Sequence, residues 1–261
     1  MVGGKDASVS LTDAGPGAGG GSAGGVSGGG SAGGGVAGGN AAGGDPNVLP
    51  DGGCAPGIVA ILRDFREAHP DFEDFLGSKK GIVKDQLGPD TKPVYGPEPR
   101  SNPIVTSTEA NFNQWYRDVP GVNQTFRETL LLEARSGGRF VYENADFFPL
   151  DGRGFGNEGN PHNFHFTTEI HGSFVYRGGE VFTFRGDDDV FVFVNGRLAL
   201  DLGGVHGVEE GTITFDQQAQ ALGLTRGMRY PLDVFHAERR REASNFRIET
   251  TIECLTPIEI Q

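Results

Sequence analysis

The body of the chain consists of short segments in which apolar and polar positions alternate. In residues 246–253 the large apolar side chains occupy even positions and the charged side chains occupy odd ones. This period of two predicts a strand with one buried face. Residues 190–194 are apolar throughout, which is typical of a strand covered on both faces. The dipeptide Asn195-Gly196 follows directly and predicts a tight hairpin to the next apolar segment.

Similar patterns recur along most of the remaining body. We expect residues 125–134 and 139–143 to form a hairpin around the glycine pair at 137–138. Many short strands joined by glycine-rich turns predict an all-β fold, an antiparallel β-sandwich or barrel. The other predicted strands are residues 57–64, 163–177, 180–185, 197–201, 212–215 and 230–236.

Helical and irregular segments fill the space between these strands. The patterns of residues 109–117 and 217–222 predict one short helix each. Residues 77–108 and 150–162 are rich in glycine, proline and polar side chains, and they predict two long loops.

A glycine-rich arm precedes this body. Residues 15–53 contain 19 of the 44 glycines of the chain. Such a segment cannot bury enough apolar surface to offset the entropy of ordering it, so it predicts a disordered tether. We therefore expect a Gly/Ala/Ser-rich tether at residues 1–53, a β-sandwich domain at 54–256 and a C-terminal tail at 257–261.

The charge balance argues against two classes of partner. The chain has 22 basic and 35 acidic residues, a net charge of −13. A chain this acidic is repelled by phosphate backbones and anionic membrane surfaces, so no nucleic-acid partner is predicted. The sequence contains no apolar run of about 20 residues, so no membrane span is predicted. Residues 1–5 lack the apolar core of a secretory signal.

The two cysteines, Cys54 and Cys254, bracket nearly the whole predicted domain. Two free thiols are one interpretation of such a pair. We favour a disulfide, because a bond between these positions would join the two ends of one domain. A disulfide predicts an oxidising compartment, and therefore a location at the cell surface or outside the cell.

The clearest candidate for chemistry is the acidic triplet at residues 187–189, directly before the apolar strand at 190–194. Three adjacent carboxylates repel one another unless a cation or backbone amides neutralise them. Oxygen ligands suit a hard ion, so Ca²⁺ is the natural candidate. A solvated acidic turn capped by backbone amides is the alternative.

Several motifs in order resemble the fibro-slime domain, which occurs in secreted and surface proteins of bacteria and social amoebae. They are the segments at residues 63–73, 182–196, 201–206 and 235–246. That domain in turn resembles the anthrax protective-antigen-type β-sandwich, which serves as a carbohydrate-binding module in adhesins, flocculins and some glycosidases.

The resemblance implies a set of site residues. In the sugar-binding members, two adjacent aspartates joined by a cis peptide hold Ca²⁺, and the ion coordinates sugar hydroxyls. The matching pair here is Asp187 and Asp188, and Asn245 is the matching asparagine of a late loop. Many relatives have glycine where this chain has Asp189, so its role stays open between ligand, supporting residue and outward-facing cap. His206 and Arg239 lie in the matching motifs and are candidates for contact with the bound ligand.

These observations predict a secreted or cell-surface module that binds glycans or extracellular polysaccharide in a Ca²⁺-dependent way, for adhesion. One alternative is a structural subunit of an extracellular matrix or fibre, which would pack against matrix proteins through the sandwich. Another is a non-catalytic module of a larger glycan-active enzyme. Motifs of serine hydrolases, zinc proteases and phosphate-binding loops are missing from the sequence, so we expect no enzymatic activity.

Overall fold

The structure is a computed structural model that describes residues 57–96 and 102–258. The predicted tether and Cys54 lie outside the described residues. Fourteen strands and two short helices occur within the described part. They are β1 (Gly57–Phe65), β2 (Gly77–Ser78), α1 (Glu109–Phe112), β3 (Asn123–Leu131), β4 (Glu133–Arg135), β5 (Arg139–Asn144), β6 (Phe166–Val175), β7 (Val181–Gly186), β8 (Asp189–Val194), β9 (Arg197–Leu202), β10 (Gly204–Val205), β11 (Glu209–Thr214), α2 (Phe215–Leu222), β12 (Arg229–Glu238), β13 (Phe246–Thr250) and β14 (Thr256–Pro257).

The long strands form two antiparallel sheets. The larger has the order β3-β1-β6-β12-β8-β9, and β14 also pairs with β6. The smaller has the order β11-β7-β13-β5-β4. A separate pair, β2 with β10, ties the start of the long loop to the segment after β9. The predicted all-β, antiparallel fold is therefore confirmed.

Two apolar layers hold these sheets in place. The core between the sheets contains the even-numbered valines of β8 together with Phe182 and Phe184 of β7. The opposite face of the larger sheet contributes Phe191 and Phe193 to a second cluster with Trp115. Side chains from residues 82–96 and 102–116 cover this second face, so β8 is buried on both sides as its apolar pattern predicts.

Local signals in the sequence predicted several of these elements well. Asn195 and Gly196 both have positive φ values, 54° and 69°, and they join β8 to β9 as the predicted hairpin. In β13 the even positions are buried and the odd positions are partly exposed, as the alternation indicates. Neither helix in the described residues is long and apolar enough to cross a membrane.

The prediction of a hairpin from residues 125–134 was wrong in one respect. Strand β3 pairs with β1 in the larger sheet, whereas β4 pairs with β5 in the smaller one. The chain crosses between the sheets at Leu132, which is buried in the core. An uninterrupted apolar-polar pattern cannot reveal this change of partner, because both sheets bury the same kind of side chain.

Candidate metal and ligand site at the β7–β8 junction

The site forms where the chain passes from one sheet to the other. Strand β7 of the smaller sheet ends at Gly186, and β8 of the larger sheet begins at Asp189. The peptide bond between Asp187 and Asp188 is cis, as the resemblance implies. All three aspartates are buried, so they are not solvated, but each accepts a backbone N–H, as the alternative of an amide-capped acidic turn predicts. Their carboxylates are instead distributed among three different sets of partners.

Asp187 is held by the loop that precedes β13. Its carboxylate accepts hydrogen bonds from the backbone N–H of Asn245 and from the side-chain amide of Asn245, the latter at 3.2 Å. Burial raises the pKa of Asp187, and these two bonds oppose the rise. The structure therefore brings together two residues that the resemblance placed in the site.

Asp188 accepts two backbone hydrogen bonds from different loops. Oδ1 takes the N–H of His206 at 3.1 Å, and Oδ2 takes the N–H of Arg239 at 3.0 Å. Burial raises the pKa of Asp188 to about 7, even though the positive charge of Arg239 lowers it. Each of these oxygens keeps a second lone pair that a cation can use.

Asp189 and Arg239 pair with each other on the opposite face of the larger sheet. Asp189 Oδ2 pairs with Arg239 Nε at 2.6 Å, and both side chains are 0% exposed. Asp189 Oδ1 also accepts the N–H of Gly204. The Arg239 guanidinium lies 4.7 Å from the centre of the Trp115 ring and donates to two backbone carbonyls. Neither side chain reaches the surface, and a role of Asp189 or Arg239 in ligand contact stays a prediction.

The division among the aspartates follows from the alternation of strand faces. On β8 the odd positions face the outer cluster with Trp115, and Asp189 belongs to that series. On β12, Phe235 and Ala237 face the same way, which sends the Arg239 side chain to Asp189. The alternation of side chains along the strand therefore explains why Asp189 has different partners from the other two aspartates.

Two histidines support the loop around the pair. His236 Nε2 donates to the carbonyl oxygen of Asp187 at 2.8 Å, and complete burial lowers the pKa of His236 to about 4, so it is neutral. Both ring nitrogens of His206 face backbone carbonyls, those of Gly207 and Leu202. Burial alone would lower the pKa of His206, but these two acceptors raise it.

One residue of this region was missed by the sequence analysis. Glu238 ends β12 and is 1% exposed, and neither of its carboxylate oxygens makes a hydrogen bond within the described residues. Burial raises its pKa well above the usual range, and the charges of Asp188 and Asp187 add to the rise. Its position in the pattern was the available signal, because Val234, His236 and Glu238 share one face of β12.

The donor set fits a hard cation in its chemistry. Asp187 and Asp188 supply carboxylates, and Asn245 uses its amide nitrogen on Asp187, which leaves its carbonyl oxygen as the acceptor for an ion. Within residues 57–96 and 102–258, no group of three or more His, Cys, Asp or Glu side chains lies in an arrangement that could hold a metal ion by itself. An ion here would therefore combine carboxylates with amide or backbone oxygens and water, a mixture that Ca²⁺ accepts.

The disulfide prediction is tested only at one of its ends. Cys254 is disulfide-bonded and lies between β13 and β14. Its predicted partner, Cys54, lies outside the described residues, so the pairing of Cys54 with Cys254 stays a prediction.

One family model matches the part of the chain that contains the candidate site. Residues 155–259 match the family model of the PA14 domain. The matched segment contains β6 to β13 and every residue of the candidate site. It agrees with the protective-antigen-type resemblance, whereas the finer assignment to the fibro-slime domain stays a prediction.

Curated relatives come from Dictyostelium discoideum. Protein psiQ is 42% identical over 196 residues, which are 69% of this chain and 19% of psiQ. Protein psiD is 40% identical over 210 residues, 75% of this chain and 41% of psiD. The chain thus spans between a fifth and two fifths of the length of these relatives.

Solved structures show a weaker likeness. A PA14 sugar-binding domain from an RTX adhesin is 10% identical with a TM-score of 0.31, over 74% of this chain and 89% of that domain. The epithelial adhesin 9 A domain of Candida glabrata, solved with Galb1-4GlcNAc, is 12% identical with a TM-score of 0.32, over 77% of this chain and 83% of that domain. Scores this low support no argument about function.

Proposed function

We propose that this chain is a carbohydrate-binding module that acts outside the cell in adhesion, and that its contact with glycans depends on Ca²⁺ held by Asp187 and Asp188. The observation that carries the proposal is the pair of buried carboxylates at the end of the sandwich, with Asn245 bonded to the first of them. The PA14 match over residues 155–259 supports the same function.

The arrangement suits recognition better than chemistry on a substrate. Both aspartates are held by backbone N–H groups from two loops, so the chain fixes their positions before any ligand arrives. An ion bound to them would present open coordination positions to vicinal sugar hydroxyls, since Ca²⁺ takes six to eight oxygen ligands.

Apolar side chains at the same end of the domain would complete a sugar site. Leu76 lies directly before Gly77, which pairs with Val205. Val208 lies three residues after Val205 in the chain. Both side chains are exposed. We propose that they pack against the C–H faces of a bound sugar, while the ion takes its hydroxyls.

A glycan array tests this function directly. The wild-type chain with Ca²⁺ should bind a defined set of glycans, and a chelator should remove that binding. Asp188→Asn should lose it as well, because the variant loses one carboxylate of the pair. Glu242→Gln is the matched control, since Glu242 lies in the neighbouring loop and its side chain is 73% exposed.

The outcomes separate the alternatives. Glycan binding that neither the chelator nor Asp188→Asn changes would refute the role of the ion. An absence of glycan binding, together with self-assembly of the chain, would refute the proposal in favour of a structural matrix subunit.

A further inference from the structure

Three buried oxygen atoms lie close to the aspartate pair without any hydrogen bond. They are both carboxylate oxygens of Glu238 and the hydroxyl oxygen of Ser244. Each residue is 1% exposed, so bulk water does not solvate these atoms. Buried polar groups are nearly always satisfied, and an orphaned carboxylate indicates a missing partner such as an ion.

The strand register places Glu238 beside the pair. The last paired residues of β12 and β8 are Ala237 and Asp189, so the next positions outward are Glu238 and Asp188. The charges of Asp188 and Asp187 are the strongest charge influences on the Glu238 carboxyl. Glu238 therefore belongs electrostatically to the same site as the two aspartates.

Protein cations do not neutralise this carboxylate. Arg239 is the next residue, but its guanidinium lies on the opposite face of the strand and pairs with Asp189. The Ser244 hydroxyl and the backbone of Arg240 are near Glu238, yet neither forms a hydrogen bond with acceptable geometry. Glu238 thus has no hydrogen bond to a basic side chain within the described residues, while the charges of Asp188 and Asp187 act on its carboxyl.

We propose that Glu238 is the third carboxylate ligand of the bound Ca²⁺, together with Asp187 and Asp188. This inference rests on the proposed function, because it assigns a ligand to the same ion. The three carboxylates are not grouped closely enough to hold an ion as they stand. Glutamate is a common bidentate ligand of Ca²⁺, and its long side chain would turn towards the ion from the neighbouring strand when the ion binds. The number of charged ligands sets the affinity of such sites, so Glu238 accounts for much of the Ca²⁺ affinity.

A protonated Glu238 that serves only to fill the core is the competing explanation. Glutamine separates the two, because it matches a neutral carboxylic acid in size and polarity but cannot supply the negative charge. We would measure the thermal unfolding midpoint and the Ca²⁺ dissociation constant of the wild type and of Glu238→Gln. Glu242→Gln again serves as the exposed control from the same end of the domain.

In chelator, Glu238→Gln should unfold at the same temperature as the wild type or higher, because the variant lacks the orphaned carboxylate. Ca²⁺ should raise the thermal unfolding midpoint of the wild type more than that of Glu238→Gln. The variant should bind the ion at least about tenfold more weakly. Glu242→Gln should match the wild type in both conditions. Glu238→Asp keeps the charge on a shorter side chain and should bind Ca²⁺ more tightly than Glu238→Gln.

Three results would overturn the inference in distinguishable ways. Equal Ca²⁺ affinity of wild type and Glu238→Gln would reject Glu238 as a ligand and leave the proposed function intact. The absence of any Ca²⁺ effect on the wild type would reject the ion, and the role of Glu238 with it. A variant that is unfolded in chelator would also contradict the inference, since it would assign Glu238 a structural role.

Discussion

Two fully buried glutamates on adjacent strands of the same sheet have opposite surroundings. Glu169 of β6 contacts three basic side chains, Arg63, Lys92 and His171. Glu238 of β12 makes no hydrogen bond to a basic side chain in the described part of the chain. Burial acts on both, yet the pKa of Glu169 falls to about 2 and that of Glu238 rises well above its usual range.

The difference separates a structural cluster from a candidate binding site. At Glu169 the chain supplies its own cations, and Lys92 belongs to the long loop that covers the outer face of the sheet. The cluster therefore fastens that loop to the strands. Around Glu238 the chain places the carboxylates of Asp187 and Asp188, from the β7–β8 junction, without a basic side chain bonded to Glu238. In our proposal a bound cation supplies the positive charge. We infer that a balanced group of buried charges holds the fold, whereas an unbalanced one awaits a ligand.

The largest effect should come from breaking the balanced cluster. Glu169→Gln leaves Arg63, Lys92 and His171 without their shared carboxylate, and the loss of one partner of a buried ion pair costs about 3–5 kcal/mol. Chemical denaturation should show this loss equally with Ca²⁺ and with chelator, because the ion site lies elsewhere.

Glu253→Gln is the matched control for that measurement. Glu253 pairs with Arg177, but the two side chains are 74% and 64% exposed. Removing this surface pair should change the free energy of unfolding by less than about 1 kcal/mol. Similar losses for the two variants would show that the buried cluster is not what fastens the loop.

A smaller effect should follow pH. Burial alone would lower the pKa of His171, but its bonds to Asp233 and Glu169 raise it above 6.5. A raised pKa in the folded state stabilises the protein fully below pH 6.5, and this stability is lost as pH rises through the folded value. Glu169 has the opposite pH dependence: its contribution to the free energy of unfolding is present above pH 4.5 and is lost as pH falls towards about 2.

Denaturation curves from pH 6.5 upward should therefore show declining stability, and His171→Gln should make that decline shallower without abolishing it, because the raised pKa values of His206 and Asp188 also contribute. Arg63 and Lys92 also face Glu169 and keep it ionised, so the decline should be only partial. An equally steep decline in His171→Gln would mean that another group titrates.

The same contrast explains what the sequence could predict. The hairpin at Asn195-Gly196 and the buried strand β8 depend on neighbouring residues, so a local pattern is enough. The pair Asp187 and Asp188 was found through a motif. The bond between Asp189 and Arg239 joins residues 50 positions apart and depends on strand register, which no local pattern supplies. Glu238 stood within a quoted motif, yet its burial becomes visible only once β12 is placed between β6 and β8.

The account depends most on the claim that a cation completes the carboxylate-rich end of the sandwich. The most direct test is a crystal structure of the chain grown with Ca²⁺, with the anomalous signal measured around residue 188. We expect one ion, with oxygens of Asp187, Asp188 and Glu238 at 2.3–2.6 Å, the usual range for this metal. Carboxylates that keep only their backbone N–H partners, with no ion among them at saturating Ca²⁺, would contradict the account.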